Sequence, residues 1–294
     1  MREITLNFAL KLKKEYDAGA SMLQLSKKYS TDINYVFNKF NISRKTKLEY
    51  IEWKKNHRRY CSYTLKWDCS SINNEYEAYI IGLFMADGYV SKNQAGLRLK
   101  KSDKKLVEQV KNYFSEDIKL QEDNNSFSFV ISSTKVCDNL IKLGVLKHKT
   151  FKELCIPTMN PSLVRHFIRG FFDGDGSIFL CKHNNNVYFK SNICSPTKNI
   201  LEEIQLELKK SNIESTINLE HRIGKELKLF DSTIIGSVDM YRLFIRKKDS
   251  IEKWYHYLYD NSTIYLERKF YIFNNNLELF KYKKIRKQVN TELT

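Results

Sequence analysis

Two segments of this chain end in acids spaced to share a cation. EAYIIGLFMADGYV (77–90) and VRHFIRGFFDGDGSI (164–178) each run from an apolar stretch into Asp-Gly, at Asp87-Gly88 and Asp175-Gly176. Each segment reads as a buried helix. Large apolar residues (Ile80, Ile81, Leu83, Phe84; Ile168, Phe171, Phe172) surround small ones at four-residue spacing, Gly82 with Ala86 and Gly170 with Gly174. Small residues at that spacing let two helix backbones come close. Glycine costs about 1 kcal/mol in a helix relative to alanine, so its use at matching points implies a packing need. If the two helices pack side by side, their terminal carboxylates meet. That is unfavourable for protein alone: a helix C-terminus already carries partial negative charge, which disfavours an acid by about 0.3–1 kcal/mol, and close carboxylates repel. A divalent cation relieves both. Carboxylate and carbonyl oxygens are hard ligands that suit Mg²⁺, which takes further ligands from water and phosphate. A single Asp-Gly is an ordinary turn dipeptide. Two of them at matching helix ends point to phosphodiester chemistry.

The rest of the chain fits a polyanion as substrate. Its 294 residues carry 50 Lys and Arg against 34 Asp and Glu, a net charge of +16, which steers nucleic acid in by long-range attraction. With 42% hydrophobic residues and only 3 Pro and 10 Gly, the chain has material for ordinary cores and is neither disordered nor loop-dominated. No run approaches 18 apolar residues, which excludes a membrane-spanning helix, and the opening MREITLNFALKLKKEYD lacks the pattern of a signal peptide. Six cysteines without a CxxC pair read as reduced thiols rather than disulfides or a zinc site. The expected location is therefore cytoplasmic or otherwise intracellular, or an organelle.

The elements that must position the acids occur twice. In each copy the apolar helix is followed by strands and amphipathic helices: GLRLKK (96–101), helix 102–114, SFSFVI (126–131) and helix 134–143, then NVYFKSNIC (186–194), helix 197–210, DMYRLFIR (239–246) and helix 248–259. The expected fold is α+β, two pseudo-symmetric αββαββα halves at 75–162 and 163–280, preceded by a small all-α domain within 1–70 and followed by a basic tail at 281–294. In the first of these, helices are expected at 7–16, 22–29 and 33–40, with Ser21 and Thr31 or Asp32 as caps. This layout is that of a helix-turn-helix, its last helix presenting Asn34, Tyr35, Asn38 and Lys39 to DNA, although a plain three-helix bundle has the same pattern. A basic connector, 44–66, follows.

Both acid-bearing segments resemble the signature of the LAGLIDADG homing endonucleases, which IIGLFMADG (80–88) and IRGFFDGDG (168–176) match along their length. The resemblance covers about residues 75–275. It implies a monomer in which the two signature helices form the interface and two saddle-shaped antiparallel sheets enter the DNA major groove. It also implies Mg²⁺-dependent cleavage of both strands, with Mn²⁺ able to substitute. The metal-binding acids carried over are Asp87 and Asp175, with the carbonyls of Ala86 and Gly174 as auxiliary ligands. Met85 departs from the pattern where the second copy has Asp173, a position the resemblance marks as structural. A basic residue after the last helix of each half is also implied, and Lys149 in LKHKT (146–150) and Lys269 in LERKF (266–270) fill that place.

Arg98 and Lys100 in one half, Tyr188 and Lys190 in the other, and Arg222, Arg242 and Arg246 are the candidates for DNA contacts. Such side chains either read base edges or neutralise phosphates. Because the halves differ at these positions, the expected target is long, double-stranded and non-palindromic. Two alternatives share the scaffold. One is a non-catalytic transcription regulator, against which the retention of both acids speaks. The other is an intron maturase whose partner is RNA.

Overall fold

The computed structural model describes residues 4–18, 20–46, 48–49, 63–146, 153–183, 186–229 and 232–278. It divides into two units, Met1–Tyr60 and Cys61–Thr294. The division falls before residue 70 because Trp67 and Cys69 are buried in the core of the second unit, where the Trp67 ring stacks on Phe114 at 5.3 Å.

Among its described residues the first unit holds α1 (Leu6–Asp17), α2 (Met22–Tyr29) and α3 (Ile33–Lys39). Each begins at a side chain that accepts from the free amides of the first turn. Thr5 starts α1, Ser21 forms a reciprocal capping box with Gln24, and Asp32 accepts from the amides of Asn34 and Tyr35. Ser30 ends α2 in the left-handed region, at φ 48°. Ala9, Leu12, Tyr16, Leu25, Ile33, Val36 and Phe37 make the core. Glu15 ties α1 to α2 by accepting from the Tyr29 hydroxyl at 2.5 Å and pairing with Lys28 at 2.9 Å.

The second unit repeats one motif. The first copy runs α4 (Glu75–Ala86), β1 (Gly88–Val90), β2 (Ala95–Lys100), α5 (Lys104–Phe114), β3 (Gln121–Glu122), β4 (Ser126–Ile131) and α6 (Thr134–Lys142). The second runs α7 (Val164–Asp175), β5 (Gly176–His183), β6 (Asn186–Ser195), α8 (Lys198–Lys210), β7 (Thr216–His221), β10 (Met240–Ile245) and α9 (Lys248–Tyr259). Each copy is thus αββαββα. Between β7 and β10 a hairpin of β8 (Glu226–Leu229) and β9 (Ser232–Ile235) is inserted, and α10 (Glu267–Asn274) follows the second copy.

The sheets are antiparallel and share one topology, β1-β2-β4-β3 and β5-β6-β10-β7. In each, the strand that continues from the acid-bearing helix lies at the edge and pairs with its hairpin neighbour, Gly88 opposite Leu97 and Gly176 opposite Ile193. The inner faces (Leu97, Leu99, Phe127, Phe129; Phe189, Ile193, Leu243, Ile245) and the two central helices belong to one continuous core. The halves therefore fold as a single unit and have no separate cores.

Candidate active site at the crossing of two helices

Helices α4 and α7 touch through their glycines. A Cβ added at Gly82 would lie 2.0 Å from the Phe167 carbonyl oxygen, and one at Gly170 would lie 2.0 Å from that of Tyr79. At the far end of the crossing, a Cβ on Gly174 would stand 2.2 Å from the Ala86 Cβ and 3.2 Å from Asp87 Oδ2. Gly82, Ala86, Gly170 and Gly174 therefore all lie in the helix–helix contact, and the Asp87 carboxylate lies alongside the last turn of the opposite helix. Asp87 and Asp175 occupy the two helix C-termini, and both reach solvent at least in part. Among the described residues, no group of three or more His, Cys, Asp or Glu side chains is arranged to hold a metal. A cation here would draw on two carboxylates, the carbonyls of Ala86 and Gly174, and oxygens of its substrate. That all-oxygen set suits a hard divalent ion.

Lys269 sits behind these acids, 2% exposed, in the first turn of α10. Its ammonium donates to the carbonyls of Phe172 at 2.6 Å, Asp173 at 2.7 Å and Gly176 at 2.6 Å. Those three bonds use its three protons, which leaves the Gly174 carbonyl, at 3.5 Å, the least engaged of the group. Burial pushes the ammonium pKa down to about 8, against the opposing pull of Asp173 and, more weakly, of Asp87 and Asp175. Lys269 thus closes the C-terminus of α7 with a buried positive charge donated to backbone carbonyls. Lys149 lies outside the described residues.

A model of the LAGLIDADG-like domain matches residues 74–116 and 162–255, one segment for each acid-bearing helix and the strands after it. The chain carries a LAGLIDADG-like domain. Two uncharacterized proteins of Methanocaldococcus jannaschii are similar to it. MJ0398 is 27% identical over 253 residues, 76% of this chain and 85% of that protein. MJ0314 is 24% identical over 161 residues, 50% of this chain, and the match spans only 58% of MJ0314. Among solved structures, the LAGLIDADG homing endonuclease I-LtrWI bound to target DNA is 15% identical with a TM-score of 0.46, covering 75% of this chain and 93% of that one. I-GzeII in complex with its DNA target is 13% identical with a TM-score of 0.44, covering 75% and 92%.

In this LAGLIDADG-like domain the strands that lead away from the acids expose one face. Arg98 and Lys100 point away from the buried Leu97 and Leu99. Arg98 donates to Ser126 Oγ at 2.7 Å and pairs with Asp123. Lys190 stands 5.5 Å from the Tyr188 ring, and strand register sets Lys190 opposite Phe179 and Tyr188 opposite Cys181. Arg242 lies opposite Cys194, its Nε 3.2 Å from Glu220, and Arg246 lies 3.9 Å from the Phe244 ring. Arg222 is exposed in the turn before β8. In the N-terminal unit Asn34, Tyr35, Asn38 and Lys39 are all exposed on α3, and Asn38 accepts from Arg44 at 2.5 Å.

Sequence reasoning passed over three aromatic residues beside the cationic faces, the buried Asn192, and the two edge strands after the acids. Tyr89 and Phe179 are exposed at 43% and 42% on β1 and β5, and Phe244 lies beside the arginines. Asn192 is 1% exposed, faces Ser177 across the β5–β6 pair, and its side-chain amide nitrogen has no partner among the described residues. The strand β1 spans three residues, too few to display an alternation.

Arg169 was also missed, although it lies inside the second signature. It is fully buried and donates to the carbonyls of Ile264 and Leu258, to Glu75 Oε1 at 2.6 Å and to His166 Nδ1 at 2.8 Å. Glu75 opens α4, so this cluster joins the two halves. His166 accepts from Arg169 only while Nδ1 is unprotonated. Burial first, and then the Arg169 charge, depress its pKa to about 4. The unfolded chain therefore takes up this proton before the folded one, and stability should be intact above about pH 6.5 and fall as pH drops toward 4. His166→Asn, which keeps an acceptor without titrating, should flatten that part of a plot of Tm against pH. A variant profile that overlays the parent's would reject this cause.

Proposed function

We propose that this chain is a divalent-metal-dependent, site-specific DNA endonuclease that acts as a monomer on a long, non-palindromic duplex. The observation that carries the reading is the glycine-mediated crossing that sets Asp87 beside the last turn of α7, with Asp175 at the end of that helix. A LAGLIDADG-like domain, a charge of +16 and cationic strand faces support it. Asp87, Asp175 and the carbonyls of Ala86 and Gly174 would hold Mg²⁺, which when bound makes water a better nucleophile and offsets charge on the phosphate. The chain's own part is geometric and electrostatic. The two helix ends orient the carboxylates, and Lys269 lowers the negative potential of the α7 terminus. The outward Lys and Arg side chains hold the backbone, and differences between the two sheets set the target's asymmetry. The test is incubation of a randomised duplex library with the protein and Mg²⁺, followed by sequencing of the ends. Recovery of one recurrent cut site supports the reading, and intact DNA rejects it.

The α3 face of the N-terminal unit is read as an additional DNA-binding surface. Deleting residues 1–60 should weaken binding and lower its salt dependence, by about 0.9 in the log–log slope for each phosphate that the unit neutralises. Fluorescence anisotropy across a salt series measures this. An unchanged slope would mean that the unit does not touch the duplex.

A further inference from the structure

A groove runs along one face of α5. The helix buries Leu106, Val107, Val110 and Phe114 in the core beneath the first sheet, so the groove lies on the far side of that sheet from Arg98 and Lys100. Two adjoining clefts that share Gln109 form it. The larger, about 530 Å³, is lined by Trp67, Tyr76 and Tyr113. Tyr76 stacks on Tyr113 at 5.3 Å, and the Trp67 ring meets Tyr113 edge-on at 5.7 Å. The smaller, about 80 Å³, lies between Leu106 on α5 and Thr263, Tyr265 and Leu266 on the approach to α10. Aromatic rings thus stand in both clefts.

The polar groups of the groove narrow its occupant. Gln109 and Asn112 belong to the lining, and their side-chain amides make no hydrogen bond among the described residues. The lining charges are already matched. Lys66 pairs with Glu116 at 2.6 Å and Lys105 with Glu267 at 2.5 Å, while Asp103 holds Arg268 at 3.2 Å. Glu77 accepts from the Tyr113 hydroxyl at 3.1 Å and from the Asn73 amide at 2.6 Å. In a chain of +16 this groove therefore lacks the unpaired cations that draw phosphate, and it suits an uncharged chain. A polyproline II segment has that character. It exposes proline rings, which dock in aromatic-lined grooves, and leaves its carbonyls without internal partners. Proline offers no amide proton, and the free amides of Gln109 and Asn112 supply donors for those carbonyls. The dimensions agree: from Lys105 to Tyr113 the helix rises about 12 Å, the length of about four polyproline II residues.

We propose that this groove docks a proline-rich segment of a partner protein, with proline rings against Tyr76, Tyr113 and Tyr265 and backbone carbonyls on Gln109 and Asn112. Docking there needs neither metal nor DNA and stands apart from the nuclease reading.

Fluorescence anisotropy of a labelled decaproline peptide, titrated with the full chain in the absence of metal and duplex, tests it. Decaproline should bind saturably. A Gly-Ser decapeptide, which has neither the preformed helix nor the rings, should bind ~10-fold or more weakly. Tyr76→Ala should weaken decaproline binding by ~10-fold or more, the loss expected on truncating an aromatic anchor. Gln109→Ala/Asn112→Ala should weaken it by ~10-fold as well, through two lost hydrogen bonds. Both of these changes place a strong helix former on the outer side of α5, so the amide variant keeps its fold and decides the matter even where Tyr76→Ala is unstable. No saturable binding, equal binding of the Gly-Ser peptide, or parent-strength binding by the amide variant overturns the site. Displacement of bound decaproline by an equal concentration of a single-stranded uridine decamer would assign the groove to nucleic acid and overturn it too.

Discussion

Asp87→Asn and Asp175→Asn should each stop double-strand cleavage while leaving affinity for the duplex nearly intact. Each change removes one of the two side-chain carboxylates at the crossing and preserves its shape, so the helix ends and the cationic faces stay in place. Losing charge stabilisation worth about 4 kcal/mol in the transition state slows the reaction roughly 10³-fold. Single-turnover cleavage beside a gel-shift titration separates the two effects. Undiminished cutting by both variants would remove these acids from the site. A parallel loss of binding would mean that they act on the fold instead.

Gly170→Ala and Gly82→Ala should each strongly destabilise the second unit. At an exposed helical position this substitution gains about 1 kcal/mol. Here the new methyl would sit 2.0 Å from a carbonyl oxygen of the facing helix, and both atoms involved belong to backbones that cannot swing aside. Separating two buried helices to make room is expected to cost about 3 kcal/mol or more, so the clash outweighs the propensity. For a unit of this size that is a fall in Tm of roughly 6–12 °C. Thermal and urea unfolding decide the matter, and a variant at or above the parent Tm would mean that the helices do not approach as described.

Much of this arrangement could be read from the chain alone because two periodicities coincide. Gly82/Ala86 and Gly170/Gly174 mark a close helix contact, and the strand–strand–helix order recurs after each. Four of the strands and the helices between them were legible from alternation and amphipathic spacing. The edge strands β1 and β5 were not, because their first residues look like the continuation of a turn, and β3, only two residues long, has no pattern to read. The β8–β9 hairpin was hidden in a stretch of mixed character. At the site, residue type located the carboxylates, whereas partners fixed by tertiary contact were invisible. Lys269 was nominated through the resemblance, but its burial against carbonyls from nearly a hundred residues away had no sign in the sequence. Arg169 sat among apolar neighbours and gave no sign of meeting Glu75.

That meeting bears on how such proteins can be recombined. Arg169 comes from one copy and its carboxylate from the other, so a hybrid that joins one copy of this chain to a copy from a relative splits the couple. The orphaned guanidinium would then be sealed from water without a counter-ion, a defect that typically costs about 3–5 kcal/mol. Graft designs should move Glu75 together with Arg169, or replace both with hydrocarbon of similar bulk.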